Sequence, residues 1–214
     1  MSRRRFNGAA IGIVASVTLA GFALLTVASA SLDRSASADS GAMASTRGMV
    51  TQALQILGNK QMPVQQRRRE LRELIEPRFD FTEMSRMALG YHWRDLSPAQ
   101  RTEFAQLFAA FIETAYLSKI QDYSGQRVAF VRQSSIGSGY VQIETQILAT
   151  NKAPIPVNYL VEPNDKIYDV TVDNISIIAN YRNQFNRVIN EHGFDQLMAD
   201  LRSKQQQLAS LLGG

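Results

Sequence analysis

Residues 166–185, KIYDVTVDNISIIANYRNQF, decide the fold. In the first half Tyr168, Val170 and Val172 alternate with Asp169, Thr171 and Asp173. A period of two predicts a half-buried β-strand, with the first set on the apolar face. Asn174 ends it, because Asn tolerates the left-handed backbone of a tight turn. The period then changes: Ile178, Tyr181, Phe185, Val188 and Ile189 follow helical spacing. A strand therefore feeds a helix through a sharp corner, and the rest of the chain must cover the apolar faces of both.

Working outward from this unit, residues 126–161 carry three more strand patterns. Gln126–Gln133 contains Val128, Phe130 and Val131. In Tyr140–Thr150, Val141, Ile143, Thr145 and Ile147 face one way, and Gln142, Glu144 and Gln146 the other. Ile155, Val157, Tyr159 and Val161 repeat the alternation. Turn-like segments at Ser134–Gly139, Asn151–Pro154 and Pro163–Asp165 join them. Four strands with short links predict an antiparallel meander, apolar on one face and polar on the other.

Helices precede and follow the meander. Met49, Ala53, Ile56 and Leu57 predict one ended by Gly58-Asn59; Pro63 opens the next, with Leu71, Leu74 and Ile75 inward. That second helix carries Arg67-Arg68-Arg69, a solvated face with Arg69–Glu73 and Arg72–Glu76 as i,i+4 neighbours, or alternatively a dock for anionic headgroups or a partner. Asp80–Leu89 is a short helix closed by Gly90. Ser97-Pro98-Ala99-Gln100 has the residues of a capping box with Pro at N1, starting a helix to about Ile120. Its broad stripe (Phe104, Leu107, Phe108, Phe111, Ile112, Ala115) suits packing on a sheet, and its surplus of Phe is compatible with a cavity wall. After Gly193, Phe194, Leu197, Met198 and Leu201 mark a last helix. Helices, then a meander, then helices give an α+β fold: a four-stranded sheet wrapped on one side into a cone-like roll with an apolar cavity.

The N-terminus reads as an export signal. Arg3-Arg4-Arg5 precedes an apolar run, Ala9–Ala28, that ends in the small-x-small site Ala28-Ser29-Ala30. Ser2–Phe6 is similar to a twin-arginine signal, although Asn7-Gly8 departs from that pattern, so the export route stays open. The expected organisation is a signal peptide over 1–30, a flexible Ser/Ala/Asp-rich lead over 31–45, and one domain over 46–214. Retention of the apolar run would instead make the chain an anchored adaptor.

The 214 residues carry a net charge of +4 and a pI of about 9.5. Cleavage after Ala30 removes three of the 23 basic residues and none of the 19 acidic ones, leaving 20 against 19. Near neutrality argues against a nucleic-acid partner. The absence of cysteine excludes disulfides, so the exported domain relies on its core. With two histidines, His92 and His192, no phosphate-type glycine loop and no metal-spaced His cluster, nothing in the pattern calls for a cofactor. His92, alone beside Tyr91 and Trp93, reads as a hydrogen-bonded structural residue.

Two blocks carry a family resemblance. Lys166–Val170 with Ile175-Ser176-Ile177 and Asn180–Phe185 resembles one signature of the MlaC family, the exported phospholipid-binding or toluene-tolerance proteins that include the hopanoid-associated HpnM group. Leu89–Trp93, followed by Ser97–Arg101 and Phe104, resembles a second block. The similarity spans about Met49–Leu201. Asn174 stands where that family usually has Gly, which leaves the turn possible. The resemblance implies a periplasmic carrier moving lipid between an outer-membrane lipoprotein complex and an inner-membrane transport complex.

Such a carrier must shield on the order of 30 methylenes at about 0.8 kcal/mol each, near 24 kcal/mol of tail. By period, the expected lining residues are Phe108, Phe111, Ile112 and Tyr116 from the long helix, Val141, Ile143, Val157 and Tyr159 from the sheet, and Val170 and Tyr181 from the 166–185 unit. The cargo would be phospholipid or a hopanoid-type lipid, and no catalytic residue is required. The rival is an isomerase- or hydratase-like enzyme with Asp169 or Glu144 as base; alternation puts both on the face away from the apolar interior.

Overall fold

The computed structural model describes residues 41–120 and 123–213. The expected signal segment and residues 31–40 of the lead lie outside the described residues. The helices are α1 (Gly41–Gly58), α2 (Val64–Ile75), α3 (Phe81–Leu89), α4 (Pro98–Ile120), α5 (Ile177–His192) and α6 (Phe194–Gly213), with 3-10 turns at Glu76–Arg78 and Gly90–Asp95. The strands are β1 (Arg127–Gly137), β2 (Tyr140–Leu148), β3 (Ile155–Val161), β4 (Ile167–Val172) and β5 (Ile175–Ser176). They form one antiparallel sheet in chain order.

The sheet has five strands rather than four. Asp173 and Asn174 both take left-handed backbone, φ 51° and 63°. Two such residues make a hairpin turn matched to the sheet twist. The chain therefore doubles back, and Ile175 pairs with Val172 before α5 begins. Two residues are too few to show a period, which hides β5 in the sequence. The Ser134–Gly139 segment is also mostly strand: β1 runs to Gly137, and only Ser138-Gly139 turn, both with positive φ.

A bulge corrects the reading of the 166–185 strand. Leu160 faces Asp169 while the next residue, Val161, faces Ile167, so Tyr168 is the extra residue. A bulge reverses the alternation beyond it. Ile167 thus points inward and is 2% exposed, while Tyr168 turns to the outer face, its ring 5.6 Å from that of Tyr140. Val170 keeps its inward place opposite Tyr159.

The apolar interior is divided into two bodies. The helical body gathers Met84, Ala88 and Leu89 of α3, Phe104, Phe108, Phe111 and Ile112 of α4, Ile178, Tyr181 and Phe185 of α5, and Leu197, Met198 and Leu201 of α6. The sheet body gathers Ala42, Met43, Met49 and Val50 of α1 with Ile143, Val157, Val161, Ile167 and Val170. Each large buried side chain contributes roughly 1.5–3 kcal/mol. Thr145 shares the inward face and satisfies its hydroxyl by donating to the Val157 carbonyl at 2.7 Å. The described residues are helical from Gly41 onward, so 41–45, part of the segment expected to be flexible, belong to α1, where Ala42 and Met43 find cover against the sheet.

Local signals set the helix ends. Ser97 and Gln100 form the expected reciprocal cap: Gln100 Oε1 accepts from the Ser97 amide at 2.9 Å, and Ser97 Oγ from the Gln100 amide at 3.2 Å. Asp80 caps α3 by accepting from the Glu83 amide at 2.8 Å. The Asp80 amide itself donates to the Ile167 carbonyl at 2.9 Å, tying α3 to β4.

Candidate functional site

Where the helical and sheet bodies meet, the packing is incomplete. Phe79 and Ile177 touch both bodies, and beside them opens a cavity of about 250 Å³. Arg72 and Ile75 of α2, Phe79, Phe81 and Met84 around the start of α3, and Ile112, Glu113 and Tyr116 of α4 form one side. Tyr159 of β3, Val170 and Val172 of β4, and Ile177 of α5 form the other. Met84 is 1% exposed at the floor, while Tyr116 and Val172 are each 36% exposed, which places the mouth on their side. Register extends that side: Val172 lies opposite Val157 and Ile175, and pleat alternation puts Ile155 on the same face. Ile155 and Ile175 are exposed, so the mouth is edged by apolar side chains.

Of the ten residues expected to line a cavity, the structure brings Ile112, Tyr116, Tyr159 and Val170 together on this wall. Phe108, Phe111 and Tyr181 lie instead inside the helical body. Their rings pack on one another, Phe108 at 5.5 Å and Phe111 at 5.6 Å from Tyr181, edge to face. Val141, Ile143 and Val157 belong to the sheet body under α1. The reason is geometric: α4 is apolar on two sides, and only the side bearing Ile112, Glu113 and Tyr116 faces the seam. Sequence reasoning missed Ile75, Phe79, Phe81, Met84, Val172 and Ile177 as wall residues. Periods place Ile75 and Val172 on inward faces but do not tell a cavity wall from a filled core, while Phe79 and Ile177 fall at element ends, where neither period is long enough to register.

Two charged residues stand on the otherwise apolar or aromatic wall. Arg72 Nε donates to Glu113 Oε2 at 2.9 Å. Arg72 thus reaches across to α4 rather than to Glu76, its neighbour one turn on. The arginine side chain is 50% exposed and the glutamate 12%. Burial, the largest influence, raises the Glu113 pKa; Arg72 opposes it, and Glu76 adds to it. Burial pushes the Tyr159 hydroxyl up to about 12. The Tyr116 hydroxyl is also raised, by burial and then by Asp169.

The carboxylates considered as a base lie elsewhere. Glu144 is on the outer sheet face, paired with Arg132 at 2.8 Å, a contact that lowers its pKa. Asp169 joins β4 to α5: it accepts from the Val170 amide at 2.8 Å, the Ile178 amide at 3.2 Å and the Ser176 hydroxyl at 2.5 Å. Burial nonetheless raises its pKa against those bonds. The carboxylate on the wall is therefore Glu113.

The two sequence blocks meet inside the helical body, where the rings of Phe104 and Phe185 lie 5.8 Å apart, edge to face, and side chains of both blocks brace the helices around them. Arg182 Nε donates to the Met87 carbonyl at 2.6 Å, and Tyr91 donates to Asn190 Oδ1 at 3.0 Å. Arg101 donates to the Trp93 and Arg94 carbonyls. The His92 ring lies against Tyr91, tilted by 38° with centroids 3.9 Å apart, but its buried Nε2 has no hydrogen-bond partner among the described residues, contrary to the expected bonded histidine. No group of His, Asp or Glu suited to a metal ion occurs among the described residues.

Comparisons with known proteins bear on the family and the fold. The family model described as MlaC protein matches residues 47–203, which contain the whole cavity wall. A similar solved structure is that of a phospholipid-binding protein from Ralstonia solanacearum, in complex with a phospholipid. It is 25% identical with a TM-score of 0.70, and the match covers 78% of this chain and 98% of that one.

Proposed function

The chain belongs to the MlaC family, and from that premise we propose that it is a carrier of phospholipid, holding acyl tail in the cavity at the seam. The carrying observation is the hollow itself, an apolar and aromatic wall with one ion pair, placed between two well-packed bodies. A dry cavity of about 150 Å³ already admits benzene, so 250 Å³ receives part of a tail. Pockets that enclose drug-sized ligands run from about 300 to 1,000 Å³. A two-tailed lipid therefore requires the bodies to part along the seam, closing the helices and sheet around it as a cone-like roll.

The remaining steps belong to the same proposal. The basic start and the apolar run ending at Ala28-Ser29-Ala30 support export to the periplasm and cleavage before Ser31. The family premise supports passage of cargo between an outer-membrane lipoprotein complex and an inner-membrane transport complex. A carrier of this kind makes and breaks no bond.

Mass spectrometry of lipid extracted from the purified mature protein, with uptake from phospholipid vesicles, tests the proposal. Co-purified phospholipid is the expected result, and a hopanoid-type lipid would redirect the cargo assignment. A folded protein that brings no lipid and takes none from vesicles would end it. A second reading, an isomerase-like enzyme, gains one observation, the buried Glu113 carboxyl on the wall. Its ion pair with Arg72 favours the carboxylate. Turnover of an apolar ketone or enol substrate, lost in Glu113→Gln, would support that reading over the carrier.

A further inference from the structure

We infer that Arg72 is the contact for the phosphate of the cargo headgroup, and that Glu113 holds its place while the cavity is empty. The inference rests on the carrier reading and adds the part of the lipid that the seam cannot enclose.

Three observations carry it. First, the pair sits on the wall of the cavity, where desolvating two charges is costly and an apolar pair of similar size would serve packing as well. Second, the pair is asymmetric. Glu113 is the buried member and Arg72 the half-exposed one, so the guanidinium is the charge that an incoming ligand reaches from water. Third, the contact uses Nε alone among the described residues. A guanidinium carries five N–H donors in a planar fork that fits two oxygens of a phosphate. Its terminal amino groups are the ones a phosphodiester would meet.

The geometry also orders the ligand. Tail enters past Tyr116 and Val172 toward Met84, leaving the polar end at the rim. A phosphate arriving there would exchange with the Glu113 carboxylate on Arg72, one anion for another. The competing explanation is a plain latch, since the same pair ties α2 to α4. A latch predicts changes in stability and none in headgroup preference.

The test compares uptake of phosphatidylglycerol with uptake of diacylglycerol of the same chains, from otherwise identical vesicles. The ratio of the two isolates the phosphate. In Arg72→Gln the ratio should fall about tenfold, the scale of one charge-assisted hydrogen bond. Arg72→Lys should keep part of it. Glu113→Gln should raise the ratio, because the competing anion is gone, and this variant keeps the test decisive if Arg72→Gln does not fold. An unchanged ratio in Arg72→Gln, or an unchanged or lowered one in Glu113→Gln, overturns the inference while leaving the carrier reading intact. A wild-type chain that takes up neither lipid removes both. Titration with inorganic phosphate covers the other source of the same chemistry: saturable binding dependent on Arg72, with no phospholipid preference, assigns the site to a free anion and overturns the headgroup reading.

Discussion

The helical and sheet bodies solve the same burial problem with different materials. In the helical body, rings pack on rings: Phe104, Phe108 and Phe185 are all 0% exposed, and their centroids lie 5.3–5.8 Å apart. The sheet body is aliphatic, with Ile143, Val157, Val161, Ile167 and Val170 under the methionines of α1. Neither body contains the hollow. It lies between them, where a flat pleated face and a helical bundle cannot be complementary along their whole length. Rigid aromatic packing fixes one bank, the sheet fixes the other, and the misfit is left as space.

The largest test of this contrast removes a ring from the closed bank. Phe108→Ala should cost about 3–5 kcal/mol in chemical denaturation, the range for a buried aromatic whose surroundings cannot collapse. A loss under about 1 kcal/mol would mean that the helical body is no better filled than the seam. Next is the joint between the banks. Asp169 holds β4 to the start of α5 through two donors, the Ser176 hydroxyl and the Ile178 amide, while the Val170 amide of its own strand orients the carboxylate. Asp169→Ala leaves buried amides unpaired and should cost about 2–3 kcal/mol, with uptake and stability lost together.

A smaller effect separates filling from folding. Val172→Trp puts a ring at the half-exposed mouth. It should cut vesicle uptake about tenfold, equivalent to about 1.4 kcal/mol, and move stability by less than about 1 kcal/mol. Equal loss of both would show that the mouth is part of the packed core. The smallest effect is alkaline. Tyr159 has its folded pKa raised to about 12 by burial, against about 10 when unfolded. A raised pKa favours the protonated fold, so its contribution is complete below pH 10 and is lost as pH rises through 12. By pH 11 the loss is roughly 1 kcal/mol, and Tyr159→Phe should remove that part of the slope. An identical slope in the variant would place the titrating group elsewhere.

Much of the fold was legible because its signals are local. The Ser97–Gln100 cap, the corner at Asn174 and the stripe of Phe104, Phe108 and Phe111 each declare themselves within a few residues. The cavity was legible only in part. Ile112 and Tyr159 follow from periods, but a period says that a residue faces inward, not whether it meets a neighbour or a gap. Phe108 and Ile112 share one helix and one core, but rings of α5 cover the first, while the second also faces the seam. Tyr168 changed face because of a single extra residue in the ladder, which depends on the partner strand. The Arg72–Glu113 pair joins residues 41 positions apart, beyond any local pattern.

The two margins of the sheet have a bearing on crowding. On β1 the ladder slips twice, at Val131 and Ile136, both roughly half exposed. At the opposite margin β5 offers two residues. A foreign backbone seeking to lengthen the sheet would find its register interrupted at one border and almost no template at the other. Many copies can therefore crowd together without polymerising edge to edge.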